Sequence, residues 1–327
     1  MDEATGGSSG RLLVRRVLLV GGWVVAAAVG GFVAIRLLGL TDHQPRLFAA
    51  ATLTVWLLVP CLAALVLAAV LRVRSLVAVA AVLVVVLGVW VAPDLRWWST
   101  AAAAEGPTSV IASTNVGPDH RRVEAMAADV LALDADVINV VELTESDRRA
   151  LHAAGITERY PYSVEDPQVG AHGSGIYSRF PLRDAGVTEF GGAPMAHAVV
   201  ELPSGPVTVV AVHTTQPLAG PGLLEVQLDD LRVAAEGFGG PVVLAGDFNA
   251  TRQHQPFREL LEAGFHDAHL ETGRGMAATW PVGRRTPPFA LIDHVLVSDG
   301  LTATSVREVT ISGSDHKALV ATVGRTT

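Results

Sequence analysis

Three long stretches without a charged side chain constrain this chain more than any other feature of its sequence. Residues 17–35, 47–71 and 75–93 contain no Asp, Glu, Lys or Arg. A helix of about 20 apolar residues is long enough to cross the hydrocarbon core of a bilayer. The sequence therefore predicts three transmembrane helices within a membrane region at residues 17–98, rather than a wholly soluble protein.

Other interpretations of these stretches stay open. The first run follows a basic segment, as a cleaved signal peptide does, although it is longer than the usual apolar core of about 7–15 residues. The three runs could instead form a buried helical core, but no polar residues alternate through them. None of the runs contains an internal acid or base, which a transporter would usually carry. Anchoring in a lipid bilayer is the simplest interpretation.

The charges that flank the runs predict an orientation. Three arginines lie in residues 1–16, and Arg72 and Arg74 lie between the second and third runs. The positive-inside rule places both segments in the cytoplasm, so the third span ends outside. Trp97 and Trp98 then lie where an aromatic belt is expected. We expect a multi-pass protein of the cell membrane with its C-terminal domain on the exterior.

The charge balance changes sharply after the apolar region. Before Thr108 there are 8 basic and 5 acidic residues, and from Thr108 onward there are 16 and 27, giving net charges of +3 and −11. Residues 99–107 are small, end in Gly-Pro and are predicted to form a tether. Residues 108–327 are predicted to form one domain. Cys61 is the only cysteine, which excludes an intrachain disulfide and a Cys-based zinc site.

The domain alternates short β-branched runs with segments of helical periodicity. The predicted strands are residues 108–115, 136–141, 174–178, 198–202, 207–212, 242–245, 292–297 and 319–323. The predicted helices are residues 121–133, 223–238 and 256–263. Several strands are joined too briefly for a helical crossover, so two sheets are expected. The pattern predicts an α/β domain.

Polar side chains lie at the ends of these apolar strands. They are Asn115, Glu142, His213, Asp247, Asn249, Asp293, His294, Asp315 and His316. Taken singly, each is most simply a turn residue, a helix cap or a hydrogen-bonded structural histidine. Taken together, they predict that a rigid scaffold gathers reactive groups at one rim.

The order of these motifs resembles the endonuclease/exonuclease/phosphatase superfamily. The matching segments are Ser113-Thr114-Asn115, residues 135–142, residues 175–181, Val212-His213, Gly246-Asp247-Phe248-Asn249, Thr279-Trp280-Pro281, residues 291–295 and Ser314-Asp315-His316. One departure is Val141, where many members carry Gln before the metal-binding Glu. The resemblance implies a four-layer α/β/β/α sandwich of two mixed sheets and a divalent-metal-dependent phosphoester hydrolase.

The resemblance also implies roles for individual residues. Asp247, Asn249, His316, His213 and Asp293 are the expected catalytic residues, with Asp293 as the carboxylate partner of His316. Glu142, Asn115 and Asp315 are expected to shape the metal site, and Arg179 and Trp280 to bind substrate. Magnesium is the natural occupant, because it prefers oxygen ligands, with manganese and calcium as alternatives. For His294, a purely structural role and a functional one both stay open.

The substrate class stays open at this point. The net charge of −11 on the domain and its single lysine, Lys317, argue against tight nonspecific binding of nucleic acid. Arg179, Arg252, Arg284 and Arg285 could still line one rim of the site. Nucleic acid and lipid or small phosphoesters are therefore both candidate substrates, and no protein partner is predicted. The competing hypothesis is a catalytically inactive, membrane-tethered binding module on the same fold.

Overall fold

The computed structural model describes residues 6–41, 44–117 and 122–326. The chain divides into two compact units, Met1–Ala92 and Pro93–Thr327. The first unit holds the apolar stretches, and the second holds the motifs at the strand ends.

The first unit is helical. Its helices are α1 (Gly6–Leu37), α2 (Pro45–Ala51), α3 (Leu58–Val70) and α4 (Arg74–Val91), with a 3-10 turn at Thr54–Leu57. Two helical segments, Gly10–Leu37 and Arg74–Val91, are long and apolar enough to cross a membrane. A third candidate exists only if Pro45–Ala51 and Thr54–Val70 count as one span. The unit is therefore compatible with membrane association through its apolar helices.

The second apolar stretch is not the single straight helix that its composition predicts. Its two halves are bent by 67°. The Thr54 hydroxyl donates to the Ala51 carbonyl at 2.6 Å, and Arg36 Nη1 donates to the Thr54 hydroxyl at 3.0 Å. A threonine hydroxyl that bonds to a preceding carbonyl competes with the helical hydrogen-bond pattern. Hydropathy alone does not register this break, because threonine is only weakly polar.

Twelve strands form two six-stranded sheets within the described part of the second unit. The first sheet contains β1 (Glu105–Asn115), β2 (Val137–Val141), β3 (Tyr162–Asp166), β4 (Ser174–Ser178), β11 (Leu301–Thr310) and β12 (Lys317–Arg325). The second contains β5 (Leu182–Phe190), β6 (Ala193–Leu202), β7 (Gly205–His213), β8 (Val242–Asp247), β9 (Phe265–Asp267) and β10 (Asp293–Ser298). The helices of this unit are α5 (Val123–Ala132), α6 (Glu145–Ala153), α7 (Ile156–Arg159), α8 (Pro221–Gly237), α9 (Gln255–Glu262) and α10 (Ala268–Glu271).

Each sheet has one parallel pair at its centre. The strand orders are β11-β12-β1-β2-β4-β3 and β5-β6-β7-β8-β10-β9. Strands β1 and β2 are parallel, as are β7 and β8, and the other neighbours are antiparallel. The prediction of two mixed sheets in an α/β domain is confirmed.

Alternate residues of the first sheet enter two different cores. Ile111 and Val137 pack with residues of the second sheet, such as Val209 and Val243. Their neighbours on the opposite face, including Ala112 and Ile138, pack with residues of α5 and α6. The period of two along each strand thus buries both faces of the sheet. Since the sheets stack face to face, the ends of their central strands come to one edge.

The segment predicted as a tether is hydrogen-bonded to the domain. The Ser99 hydroxyl and the amides of Thr100 and Ala101 donate to the Glu271 carbonyl at 3.1, 2.6 and 3.1 Å. Arg252 donates from Nε and Nη2 to the two carboxylate oxygens of Asp94 at 2.8 and 2.9 Å. The second compact unit begins at Pro93, and the domain start at residue 108 stays a prediction. The sequence of residues 99–101 is typical of a linker, because their hydrogen-bond partner, Glu271, is distant along the chain.

Candidate active site

The two central parallel pairs bring four polar residues to one edge of the stacked sheets. Asn115 ends β1 and Glu142 directly follows β2, while His213 ends β7 and Asp247 ends β8. Asn115 is in register with Val141, and His213 is in register with Asp247. Because parallel strands end at the same edge of a sheet, the two polar side chains of each pair lie next to each other at that edge.

Asn115 links the two sheets at this edge. Its Nδ2 donates to Glu142 Oε1 at 3.0 Å and to Asp247 Oδ2 at 3.2 Å. Its Oδ1 accepts from the Gly117 amide at 2.9 Å, which fixes the orientation of the side-chain amide. In the structure, Asn115 therefore turns donors toward the two carboxylates and orients them. Its role in the metal site stays a prediction.

The Asp247-Phe248-Asn249 turn is tightly restrained. A Cβ at Gly246 would lie 1.8 Å from the Val212 carbonyl oxygen, so only glycine allows β8 to approach β7 here. Asn249 has a φ of 47°, in the left-handed region that asparagine tolerates better than most residues. Its amide donates to Asp247 Oδ1 at 2.8 Å, and its Nδ2 donates to the Thr214 carbonyl at 2.9 Å.

Two further acids and a histidine lie at the starts of antiparallel strands. Asp293 begins β10, and Asp315 and His316 directly precede β12. Asp293 is in register with Asp247. His316 Nδ1 lies 3.1 and 3.0 Å from the two Asp293 oxygens, and its Nε2 lies 3.7 Å from Asp247 Oδ2. Asp315 Oδ1 lies 3.9 Å from the same Nε2. His316 is thus placed between three carboxylates.

His213 completes the opposite side of this cluster. Its Nδ1 donates to the Ala171 carbonyl at 2.7 Å. That bond leaves Nε2 facing the acids, 3.6 Å from Glu142 Oε1 and 3.8 Å from Asp247 Oδ2. The imidazoles of His213 and His316 therefore lie on two sides of Asp247.

Burial and charge set the proton affinities of the two central groups. Burial raises the pKa of Asp247, and the nearby Asp293 carboxylate acts in the same direction against the neighbouring histidines. For His316, burial disfavours the charged ring, but Asp293 and Asp247 outweigh that effect and raise its pKa to about 10. The ring is therefore a buried cation that can donate from Nε2 into the site, beside a carboxylate that is a stronger base than usual.

The donor set suits a hard divalent cation. Asp247, Asp293 and His316 each offer a ligand atom, and these atoms lie within 4.8 Å of one another. This group differs from the ligand set that the sequence predicts, in which Glu142 and Asp315 supply carboxylates. His316 Nδ1 and both oxygens of Asp293 are engaged with each other. Carboxylates are ligands that hard divalent cations prefer.

The two predicted substrate-binding residues lie in different places. Arg179 follows β4 and pairs with Asp134 and Asp136, at the opposite end of β2 from Glu142. The structure therefore does not bring Arg179 to the Glu142 end of β2, and its motif alone does not reveal which end of the strand it occupies. Trp280 lies beside the site, since Thr279 Oγ1 accepts from the Asp293 amide at 3.3 Å and the Val282 amide donates to the Asp315 carbonyl at 2.7 Å.

Comparison with known proteins identifies the family. The model of the endonuclease/exonuclease/phosphatase family matches residues 111–316, which is more than half of the chain. The chain belongs to the endonuclease/exonuclease/phosphatase family. This family comprises metal-dependent hydrolases, among them nucleases and phosphatases. No similar protein was found among curated proteins.

Solved structures share the fold at low sequence identity. Truncated TDP2 from Caenorhabditis elegans is 16% identical, with a TM-score of 0.55, covering 68% of this chain and 100% of that one. An endonuclease/exonuclease/phosphatase protein from Beutenbergia cavernae is 19% identical, with a TM-score of 0.54, covering 67% and 72%. A family protein from Bacteroides thetaiotaomicron is 14% identical, with a TM-score of 0.54, covering 68% and 100%. At these identities the likeness establishes the family fold alone.

Two residues that help to build the site, Thr214 and Asn139, were not predicted from the sequence. The Thr214 hydroxyl donates to the Phe248 carbonyl at 2.5 Å, and its amide donates to the Asp247 carbonyl at 3.1 Å. Asn139, in the middle of β2, donates from Nδ2 to the carbonyls of Val210 and Ala245 at 3.0 and 3.1 Å. An amide inside an otherwise apolar strand is a signal that could have identified Asn139 as a bridge between sheets.

The raised pKa of His316 predicts a pH dependence of stability. In the folded chain the pKa is about 10, against an ordinary value of 6.5, so protonated His316 contributes stability fully below about pH 6.5. That contribution is lost as the pH rises toward 10. In a chelating buffer, the unfolding midpoint of the wild-type chain should fall over this interval. The midpoint of His316→Gln should fall less, and an equal fall in both proteins would contradict the assignment.

Proposed function

We propose that this protein is a divalent-metal-dependent phosphoesterase that hydrolyses its substrate by in-line attack of water. The observation that carries the proposal is the convergence of Asp247, Asp293 and His316 within 4.8 Å, beside Glu142 and Asn115. An acid of raised proton affinity, an imidazole cation and oriented amides are groups that phosphoester hydrolysis uses.

The residues divide the chemistry between them. Asp247 accepts a proton from the attacking water as the water oxygen bonds to phosphorus and the bond to the leaving oxygen breaks. Asn249 holds the phosphate or the water in line. His316, oriented by Asp293, donates a hydrogen bond from Nε2 to a phosphoryl oxygen on which charge develops. His213 makes a second phosphate contact from the other side.

Glu142 and Asp315 are the proposed carboxylate ligands of the metal, with Asn115 holding Glu142 in place. A bound divalent cation would supply positive charge that offsets the developing negative charge of the phosphoryl group. Magnesium is the favoured ion, and manganese or calcium are alternatives. Arg179 and Arg252 do not supply this charge, because both are paired with acids outside the cluster.

Replacing Asp247 tests the proposed chemistry. Asp247→Asn should reduce turnover of bis(p-nitrophenyl) phosphate with magnesium by about 10²–10⁴-fold, because a positioned base typically contributes that much. Release of p-nitrophenolate measures the rate. Asp299→Asn is the matched control, since Asp299 follows the opposite end of β10 and is exposed.

Two outcomes would count against the mechanism. Near-normal turnover of Asp247→Asn would remove Asp247 from it. If the wild-type chain itself gave no metal-dependent turnover on this probe or on a panel of nucleic acids, phospholipids and inositol phosphates, the inactive binding module would be supported instead.

For the substrate, we propose a lipid or small phosphoester rather than nucleic acid. Binding along a nucleic acid draws on lysines and arginines that neutralise successive phosphates. The domain from Thr108 onward has a net charge of −11, and two of its four candidate arginines, Arg179 and Arg252, are paired with acids outside the cluster. Arg284 remains beside the site, with Nη2 3.5 Å from Asp315 Oδ2 and a largely exposed side chain. One such cation suits a single phosphate group better than a polyanion.

Membrane attachment is consistent with that substrate class. We propose that the helices of the first unit anchor the protein as three spans, with the catalytic domain outside. The arginines of residues 1–16 and the Arg72–Arg74 link support this orientation by the positive-inside rule. A phosphoester at or near a lipid surface would then be within reach of the site.

Arg284 and Arg179 form a matched pair for testing substrate contact. Arg284→Ala should raise KM for the probe by about tenfold, the effect of losing a hydrogen bond to a charged group. Arg179→Ala should leave KM unchanged, because Arg179 lies at the opposite end of β2. Steady-state kinetics at saturating magnesium provide both values. An equal change in both variants would contradict the placement of substrate beside Asp315.

A further inference from the structure

A second acid–imidazole pair lies on the face of β10 that points away from the site. His294 follows Asp293 in the strand, so its side chain takes the opposite face. His294 Nδ1 lies 2.6 Å from Asp267 Oδ2, and its Nε2 lies 3.0 Å from the Ala250 carbonyl oxygen. Asp267 and His294 are both buried. One ring thus connects a buried carboxylate to the backbone just beyond Asn249.

The same ring also packs against the Asp247–Asn249 turn. Its centroid lies 5.6 Å from that of Phe248 in an edge-to-face arrangement. Phe257 of α9 also packs against this ring, with a centroid separation of 4.3 Å. Phe248 is the residue between Asp247 and Asn249, so His294 contacts the turn through its ring as well as through Nε2.

The turn needs such support because of its backbone conformation. Asn249 has a φ of 47°, and a left-handed residue other than glycine costs about 1 kcal/mol or more. On the site side, the Asn249 amide and side chain bond to Asp247 and Thr214. On the far side, the Ala250 carbonyl bonds to His294. A strained turn persists only when its surroundings hold it on both sides.

We propose that His294, held by Asp267, is a positioning residue for the hydrolysis proposed above. It fixes the Ala250 carbonyl and the Phe248 ring, and so sets the directions of the Asp247 and Asn249 side chains. It touches no substrate and acts through the turn. The inference rests on the proposed function for its effect on turnover, but the restraint on the turn is a separate property of the fold.

His269 is a matched control in the same buried network. Its amide donates to Asp267 Oδ1 at 2.7 Å, and its Nε2 lies 3.1 Å from Glu308 Oε1. It is as deeply buried as His294. Within the described part of the chain, its side chain bonds to Glu308 and not to the turn. Substituting His269 therefore disturbs the network without removing the contact with Ala250.

Kinetics of the full-length chain test the positioning role. With bis(p-nitrophenyl) phosphate and magnesium, His294→Phe should lower kcat by about 10–100-fold, since small displacements of catalytic groups have effects of that size. KM should stay unchanged. His294→Gln, whose amide can donate to the Ala250 carbonyl, should recover most of the loss. His269→Phe should lower thermal stability but keep the wild-type kcat.

Hydrogen exchange gives a readout that does not depend on turnover. Amide exchange in a peptide covering residues 246–251 should be about tenfold faster in His294→Phe, the effect expected for the loss of a buried hydrogen bond. It should be unchanged in His269→Phe. If the wild-type chain did not turn over the probe, the proposed function would fail for that probe, and the exchange result would still decide on the restraint.

The proposal would be overturned by either of two results. One is unchanged exchange in the turn of His294→Phe. The other is an equal loss of kcat in His294→Phe and His269→Phe, which would mean that the whole network acts on stability alone.

Discussion

The burial of one carboxylate, that of Asp247, organises this end of the domain. An unpaired charge removed from water costs several kcal/mol, so a buried acid must be surrounded by donors and opposite charge. Asp247 is 1% exposed and accepts from the Asn249 amide and from Asn115 Nδ2, with His316 and His213 nearby. Those partners come from both sheets and from distant parts of the sequence. The buried Asp247 carboxylate needs hydrogen-bond donors from both sheets. This need therefore holds the two sheets in one arrangement at the edge where the chemistry is proposed.

Much of this arrangement could be predicted from the sequence, because the buried strands are apolar runs that stop at a polar residue. Val242 to Asp247 is an apolar run that stops at a glycine and an acid, and residues 137–141 stop before Glu142 in the same manner. Strands that expose one face or alternate weakly were not predicted. Residues 182–190 form β5 with most of their side chains at least partly exposed, so they present no apolar run. The α6 helix was also missed, although Thr144 and Asp147 form a capping box that marks its start.

The features of the site that the sequence did not reveal have a common origin, since the sequence gives neighbours along the chain but not the orientation of their side chains. Arg179 stands in a family-like segment, yet it lies at the far end of the strand and binds Asp134. Asn115 was correctly placed beside Glu142, but only the Gly117 amide reveals which way its side-chain amide points. The two Asp-His dipeptides look equivalent in sequence and differ in the structure. In one, the histidine enters the site, and in the other it supports the turn from behind.

The central claim is that these groups surround one divalent cation, and manganese binding tests it most directly. Titration of the full-length chain with Mn²⁺, followed by electron paramagnetic resonance of the free ion, gives both the number of sites and their affinity. We predict one strong site per chain, weakened about tenfold or more by Glu142→Gln, as loss of a site carboxylate requires. Asp299→Asn should bind like the wild type. The absence of a strong site, or unchanged affinity in Glu142→Gln, would contradict the account.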